Sequence, residues 1–264
     1  MNGIFKIIFK LFLLLARVVV NRTKNNDYNG DVVDLGLPSG VKWATCNLGA
    51  ENPWNYGHYY AWGEKKAKDY YNWKNYKYCK GTARSFIKYC NKAEWGNGGF
   101  TDTRITLEPT DDVATTLLGS YYSMPTDADW DELERQCYWV WTETYNNHNV
   151  CGYIIYKVKS TYDKGRQVYY KDTPSASYSL KDPHIFLPAA GFRDDKHQYG
   201  AGSDGLYWSA TLGAFDPFDA CGCNFNGGVV NSWDNDAYRC YGQSVRPVRR
   251  LTKIQKHQYH QYYE

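Results

Sequence analysis

The chain of 264 residues lacks most of the patterns by which chemistry is recognised in a sequence. No CxxC occurs among its eight cysteines, and Cys221-Gly222-Cys223 has the wrong spacing for a paired zinc knuckle. Eight cysteines in this length also fall far short of the roughly 8–10 % of a disulfide scaffold, so an apolar core has to carry the fold. If the chain is exported, Cys79 and Cys90, which flank a short loop, are candidates for a bridge, although spacing alone does not pair them. There is no Gly-rich phosphate loop after a strand, no GxSxG and no HExxH, and His58, His148, His184 and His197 are scattered without ligand spacing. Metal, cofactor and catalytic residues are therefore all expected to be absent, and the chain is read as a non-enzyme. A formal net charge of +3, with Lys and Arg spread along the chain, argues against a nucleic-acid partner. No fixed period recurs, which excludes a solenoid.

What the chain does have is aromatic side chains: 17 % of residues, 26 of them Tyr. Tyr and Trp bring large contact area at low rotamer cost and are enriched in recognition surfaces, but they equally fill loop-rich cores with their polar ends wet. Residues 1–24 form a hydrophobic, basic segment, apolar over 4–20 except for Lys6, Lys10 and Arg17 on one helical face. This segment is read as an export signal or anchor, giving membrane attachment through 4–20 and a location at the cell envelope or outside the cell; an interfacial helix or a mis-assigned start remain as alternatives. Residues 25–30 are a linker, 31–250 one β-rich domain and 251–264 a polar tail.

Along the domain, two short runs around Pro38-Ser39-Gly40 predict an opening hairpin, and residues 56–62 a strand. Residues 65–106 show no sustained period and are read as a long surface insertion, either a packed loop or a second recognition patch. Asp112 before VATTLL and Gly119 predicts one short helix, and Thr126 with Asp129 in the capping-box position predicts a second over 127–137, with Trp130, Leu133 and Cys137 on its buried face. The acids of these helix starts, Asp111, Asp112, Asp127 and Asp129 among them, are expected to balance the dipole and not to catalyse. Residues 153–158 alternate as a half-buried strand, and 184–187 form another.

The last stretch, 205–250, separates into stiff anchors (Tyr207, Trp208, Phe225, Val230, Trp233, Arg239, Val245, Arg246, Pro247, Val248) and small, polar or turn-forming residues between them. Asn226-Gly227-Gly228 signals a hairpin, with the glycines supplying positive φ. Pro247 restricts its run to an edge or terminal strand.

Several segments, in order, carry a resemblance: VDLGLPSGVKWATCNLGA at 33–50, YGHYYAWGE at 56–64, LEPTDDVAT at 107–115, SMPTDADWDEL at 123–133, FLPAAGFRD at 186–194 and YGQSVRPVR near the end. Together they are similar to the Fibrobacter major paralogous domain family, and the segment at 123–133 also resembles formylglycine-generating-enzyme-like domains. The resemblance implies an α+β, C-type lectin-like fold: small twisted, mainly antiparallel sheets, two short helices and long loops. Some members of this group are target proteins of diversity-generating retroelements, whose C-terminal stretch is rewritten at adenines. The implied function is a non-catalytic receptor or adhesin for a protein or glycan ligand, with 205–250 as its variable region.

On that reading the ligand contacts are Phe215, Asp216, Phe218, Asp219, Cys221, Gly222, Asn224, Asn226, Val229, Asn231, Asp234, Asn235, Asp236, Cys240 and Tyr241. Many of these residue types are reachable from an AAC codon; turn chemistry also selects Asn, Asp and Gly. Glu108-Pro109-Thr110 and Trp233-Asp234-Asn235 depart from the calcium motifs of C-type lectins, so no calcium site is carried over. Two alternatives stand: a metal- or cysteine-dependent oxidase using Cys221, Cys223 and Cys240, and a fixed glycan adhesin.

Overall fold

The computed structural model of the chain describes residues 32–166 and 173–250; the segment at 4–20, the linker and the tail lie outside the described residues. Gly40, at φ 74°, lets Val32–Val33 (β1) fold back antiparallel on Lys42–Ala44 (β2), as the Pro38-Ser39-Gly40 turn predicts. Asp112 accepts the Thr115 N–H at 3.0 Å and starts Val113–Leu118 (α1), which Gly119 stops at φ 91°. Thr126 and Asp129 form the reciprocal capping box of Asp127–Gln136 (α2), which buries Trp130 and Leu133 as its spacing predicts.

The remaining strands are Tyr122–Ser123 (β3), Tyr138–Thr142 (β4), Gly152–Tyr156 (β5), His184–Pro188 (β6), Phe192–Asp194 (β7), His197–Tyr199 (β8), Asp204–Leu212 (β9), Asp219–Asn226 (β10), Val229–Tyr238 (β11) and Val248–Arg249 (β12). They form four small sheets, in the orders β1-β2-β12-β3, β4-β5-β6, β7-β8 and β11-β10-β9, with every pairing between strands antiparallel. The class is α+β, and the described residues all fall in one unit that begins at Asp31.

Three expectations need correction. Residues 56–62 form no strand; Tyr60 and Gln243 exchange both backbone hydrogen bonds, at 3.0 and 3.1 Å, without a ladder on either side. The alternation over 153–156 does not mark a half-buried strand, because β5 is buried on both faces. Tyr153 packs against Trp139 and Phe225 on one side, and Tyr156 against Tyr178 and His184 on the other, so aromatic partners cover both faces of the strand. Finally, β12 lies between β2 and β3 instead of at an edge; Pro247 just precedes it and only accepts, from the Ala44 N–H at 2.9 Å.

The insertion at 65–106 is a packed loop. Three single turns of 3-10 helix, Trp73–Asn75, Ala93–Trp95 and Asn97–Gly99, give it shape. It sends Tyr71, Tyr76, Tyr78, Phe86 and Tyr89 into a core shared with Trp62, Trp208 and Val245. Its outer side is fastened by Asp111, which receives Lys88 Nζ at 2.5 Å, Tyr89 Oη at 2.9 Å and Lys77 Nζ at 3.2 Å. Burial pushes the Asp111 carboxyl up, but its hydrogen bonds from lysine and tyrosine outweigh that and hold it well below the usual carboxylate range. A second core joins Trp43, Trp130, Leu133, Trp139, Tyr207, Cys223, Phe225 and Val248, and it lies between α2 and the β11-β10-β9 sheet.

Candidate binding surface

Strands β9 and β10 are held by more than their mutual ladder. The segment after Gly242 runs beside β9, with the Trp208 N–H donating to the Ser244 carbonyl at 3.0 Å and the Ser244 N–H to Leu206 at 3.2 Å. The Leu48 N–H then donates to Val245 at 2.9 Å, so the last strands are stitched to the first. Two fully buried arginines lock this frame. Arg246 donates to Asn47 Oδ1 and to the carbonyls of Ala44 and Phe186, at 2.7–2.9 Å. Arg239 donates to Tyr76 Oη and to the carbonyls of Tyr89, Pro217 and Lys88, at 2.6–3.2 Å. Four rings, Trp62, Tyr76, Phe86 and Tyr89, surround its guanidinium at 4.5–5.9 Å. The planar fork of each guanidinium lets one side chain reach carbonyls from separate segments.

The β10–β11 turn falls at Gly227-Gly228, where Asn226 pairs with Val229. Neither glycine takes positive φ, contrary to the turn chemistry read from the sequence. A Cβ at Gly227 would sit 3.2 Å from the Trp141 indole, which would have to give by a few tenths of an ångström to accept it.

The frame sorts the expected contact residues by face. Asp219, Cys221, Gly222 and Cys240 are buried and present no side chain to a ligand. The reason is the sheet itself. Gly222 lies in the middle strand against the Tyr207 carbonyl, where a Cβ would come within 2.6 Å. Cys240 packs in the core beside the insertion. Asn226, Val229 and Asn231 are exposed at the hairpin end, Phe215 is exposed in the loop before β10, and Asp216, Phe218, Asn224, Asp234 and Tyr241 are half-buried. Asp216 takes an ion pair from Lys92 of the insertion at 3.0 Å. Asn235 and Asp236 belong to β11, and their side chains, like that of Trp233, lie outside the described residues.

Phe218 and Tyr241 are members of a ribbon of partly exposed rings. Tyr199, Phe192, Tyr241, Tyr238, Phe218 and Trp95 follow one another with centroids 4.7–5.7 Å apart, and Trp73 branches from Tyr238 at 6.0 Å. At the Tyr199 end the ribbon opens into a recess of about 490 Å³, lined by Phe192, Tyr199, Gly200, Asp204, Leu206, Asn224, Phe225 and Asn226. Phe192, Tyr199, Asp204, Leu206, Tyr238, Trp73 and Trp95 were not among the residues read from the sequence. The only signal available for them was the overall excess of aromatics, and for Phe192 the FLPAAGFRD segment.

The cysteines do not come together. Cys223 lies in the core under α2 and Cys240 in the core beside the insertion. Burial pushes the Cys221 thiol up to about 12, raises Cys223 well above its ordinary value and raises Cys240 also. Among the described residues none of the eight cysteines is joined in a disulfide, Cys79 and Cys90 included; each of these two donates to a nearby carbonyl at 3.2 Å, from Cys79 to Trp73 and from Cys90 to Lys92. Among the described residues no helix is long and apolar enough to cross a membrane, and no three His, Cys, Asp or Glu side chains gather as metal ligands. No family model, curated protein or solved structure matches the chain.

Proposed function

We propose that this chain is a non-catalytic ligand-binding protein of the cell envelope or exterior, built on a C-type lectin-like scaffold, that meets a protein or glycan through the hairpin end of its last sheet. The observation that carries the reading is the division of faces. Asn224, Asn226, Val229 and Asn231 stand outward on a frame whose inward residues are locked, and they adjoin a continuous aromatic ribbon ending in a recess. Aromatic surface of this kind supplies contact area with few rotamers to freeze. Small antiparallel sheets, two short helices and long loops agree with the lectin-like scaffold, and the first and last strands of the described domain share one sheet. The oxidase alternative needs Cys221, Cys223 and Cys240 at one centre as thiolates; their separation and their raised pKa values favour the binding reading.

The same division supports a diversified surface, since exposed positions tolerate change that core strands do not. Sequencing the DNA that flanks the gene tests this part directly. The expected result is a near-copy of the stretch encoding 205–250, differing at adenines and lying beside a reverse transcriptase. Flanks without such a copy would contradict diversification and leave a fixed binding domain.

A further inference from the structure

We propose that the recess between β7–β8, the start of β9 and the end of β10 binds an organic ammonium group. The inference rests on the binding reading above and names the chemistry of one subsite on that surface. None of the residues lining the recess is cationic, and one, Asp204, is a carboxylate. No Lys or Arg pairs with Asp204 among the described residues; its Oδ2 receives a hydrogen bond only from the neighbouring Ser203 hydroxyl, at 2.5 Å. The next residue in the chain after Phe192, Arg193, directs its guanidinium to the Tyr59 ring and the Lys196 carbonyl instead.

The walls suit the same charge. Phe192 and Tyr199 stack at 5.5 Å, and Phe225 closes the floor. Ring faces carry the negative part of the aromatic quadrupole, so they attract a cation and repel an anion in the same way as the carboxylate does. The Asn224 amide makes no hydrogen bond among the described residues and offers an acceptor at the rim, whereas the Asn226 carbonyl oxygen is already taken by the Gly228 N–H at 3.0 Å. An anionic ligand is disfavoured by Asp204, and a neutral one leaves that half-buried carboxylate without an opposite charge.

The composition of the recess has a second consequence. Phe192, Tyr199, Asp204 and Leu206 lie outside the expected contact positions, and only Asn224 and Asn226 belong to them. The ammonium anchor is therefore constant, while the rim around it carries the variation. Ligands of different shape would share one charged group.

The test is calorimetric titration of the full chain with choline, with its neutral carbon isostere dimethylbutanol and with n-butylammonium, the last separating a quaternary from a primary head group. Choline or n-butylammonium is expected to bind about tenfold more tightly than the neutral alcohol, a ratio within the range of a partly desolvated cation–π site. Asp204→Asn is expected to lose about tenfold, and Tyr199→Ala, at an exposed ring, several-fold with unchanged thermal unfolding. Equal affinity for charged and neutral probes, no binding of either ammonium at millimolar concentration, or full affinity in Asp204→Asn would overturn the proposal. Such a failure stays distinct from failure of the surface reading, which is decided by substitutions at the hairpin end and needs no ammonium probe.

Discussion

Arg239→Ala is expected to remove at least about 4 kcal/mol of folding stability, a large part of the roughly 5–15 kcal/mol margin of a native domain. The guanidinium is fully buried, and among the described residues no carboxylate pairs with it. It is kept there by carbonyl acceptors from two separate loops, Tyr89 and Lys88 of the insertion and Pro217 before β10, and by the Tyr76 hydroxyl. Truncation strands those three carbonyls in a dry interior at about 1–3 kcal/mol for each group left unpaired, and it opens a cavity among Trp62, Phe86 and Tyr89 as well. Arg239→Lys does not repair the loss, because an ammonium on a single stem lacks the planar fork that reaches both loops. Urea unfolding followed by tryptophan fluorescence checks both variants. A loss below about 1 kcal/mol for Arg239→Ala would mean that the insertion and the terminal sheet do not depend on this side chain.

Gly191→Ala is expected to cost about 3 kcal/mol and to deform the recess at the same time. Gly191 has φ 65°, and a Cβ there would lie 1.9 Å from the Tyr199 carbonyl oxygen and 2.6 Å from the Ala201 nitrogen. Both contacts are backbone, so no rotamer change relieves them, and the stretch from the end of β8 to Ala201 must move. That stretch carries Tyr199 and Gly200 of the recess wall. Gly202→Ala separates the causes: its φ is 88° but nothing lies within 4 Å of the added carbon, so only backbone strain of about 1–2 kcal/mol is expected. Thermal melts of the two variants decide it. Equal effects would show that the close approach at Gly191 is absorbed without strain.

Both helices were legible in the sequence because their signals are local. A capping side chain, an acid three residues on and a glycine stop act within one turn, and Asp112, Thr126, Asp129 and Gly119 do what their types predict. The opening hairpin was legible for the same reason. The faces of β5 were not, because whether Tyr156 meets water depends on Tyr178 and His184, which arrive from distant parts of the chain. Gly227 and Gly228 show a related limit: the hairpin turn falls where the residue types place it, but neither glycine takes the positive φ that the turn chemistry predicts.

The candidate surface was half legible. Exposed Asn226, Val229 and Asn231 followed from the hairpin, while Cys221 and Gly222, of equally adaptable type, fell on the covered part of β10. Residue type alone does not reveal which side of a strand a position takes when the ladder is irregular, and β10 shifts register between Ala220 and Asn224. Leu206 and Tyr238 lie within 205–250 but between the positions read as contacts, whereas Phe192, Tyr199, Trp73 and Trp95 come from outside it and join it only in the folded state.

The central claim is a stiff mount whose outward residues alone meet the ligand, and a substitution scan of β10 and β11 measures it most directly. Asn226, Val229 and Asn231, each replaced by Ser, Asp, Gly and Tyr, are expected to shift the melting temperature by no more than about 2 °C, the scale of surface substitutions. Asp and Tyr at Ala220, Gly222 and Cys223 are expected to abolish cooperative unfolding or lower the melting temperature by about 10 °C or more, as a charged or bulky group is forced into a packed interior. Losses at the outward positions as large as those at the inward ones would contradict the account.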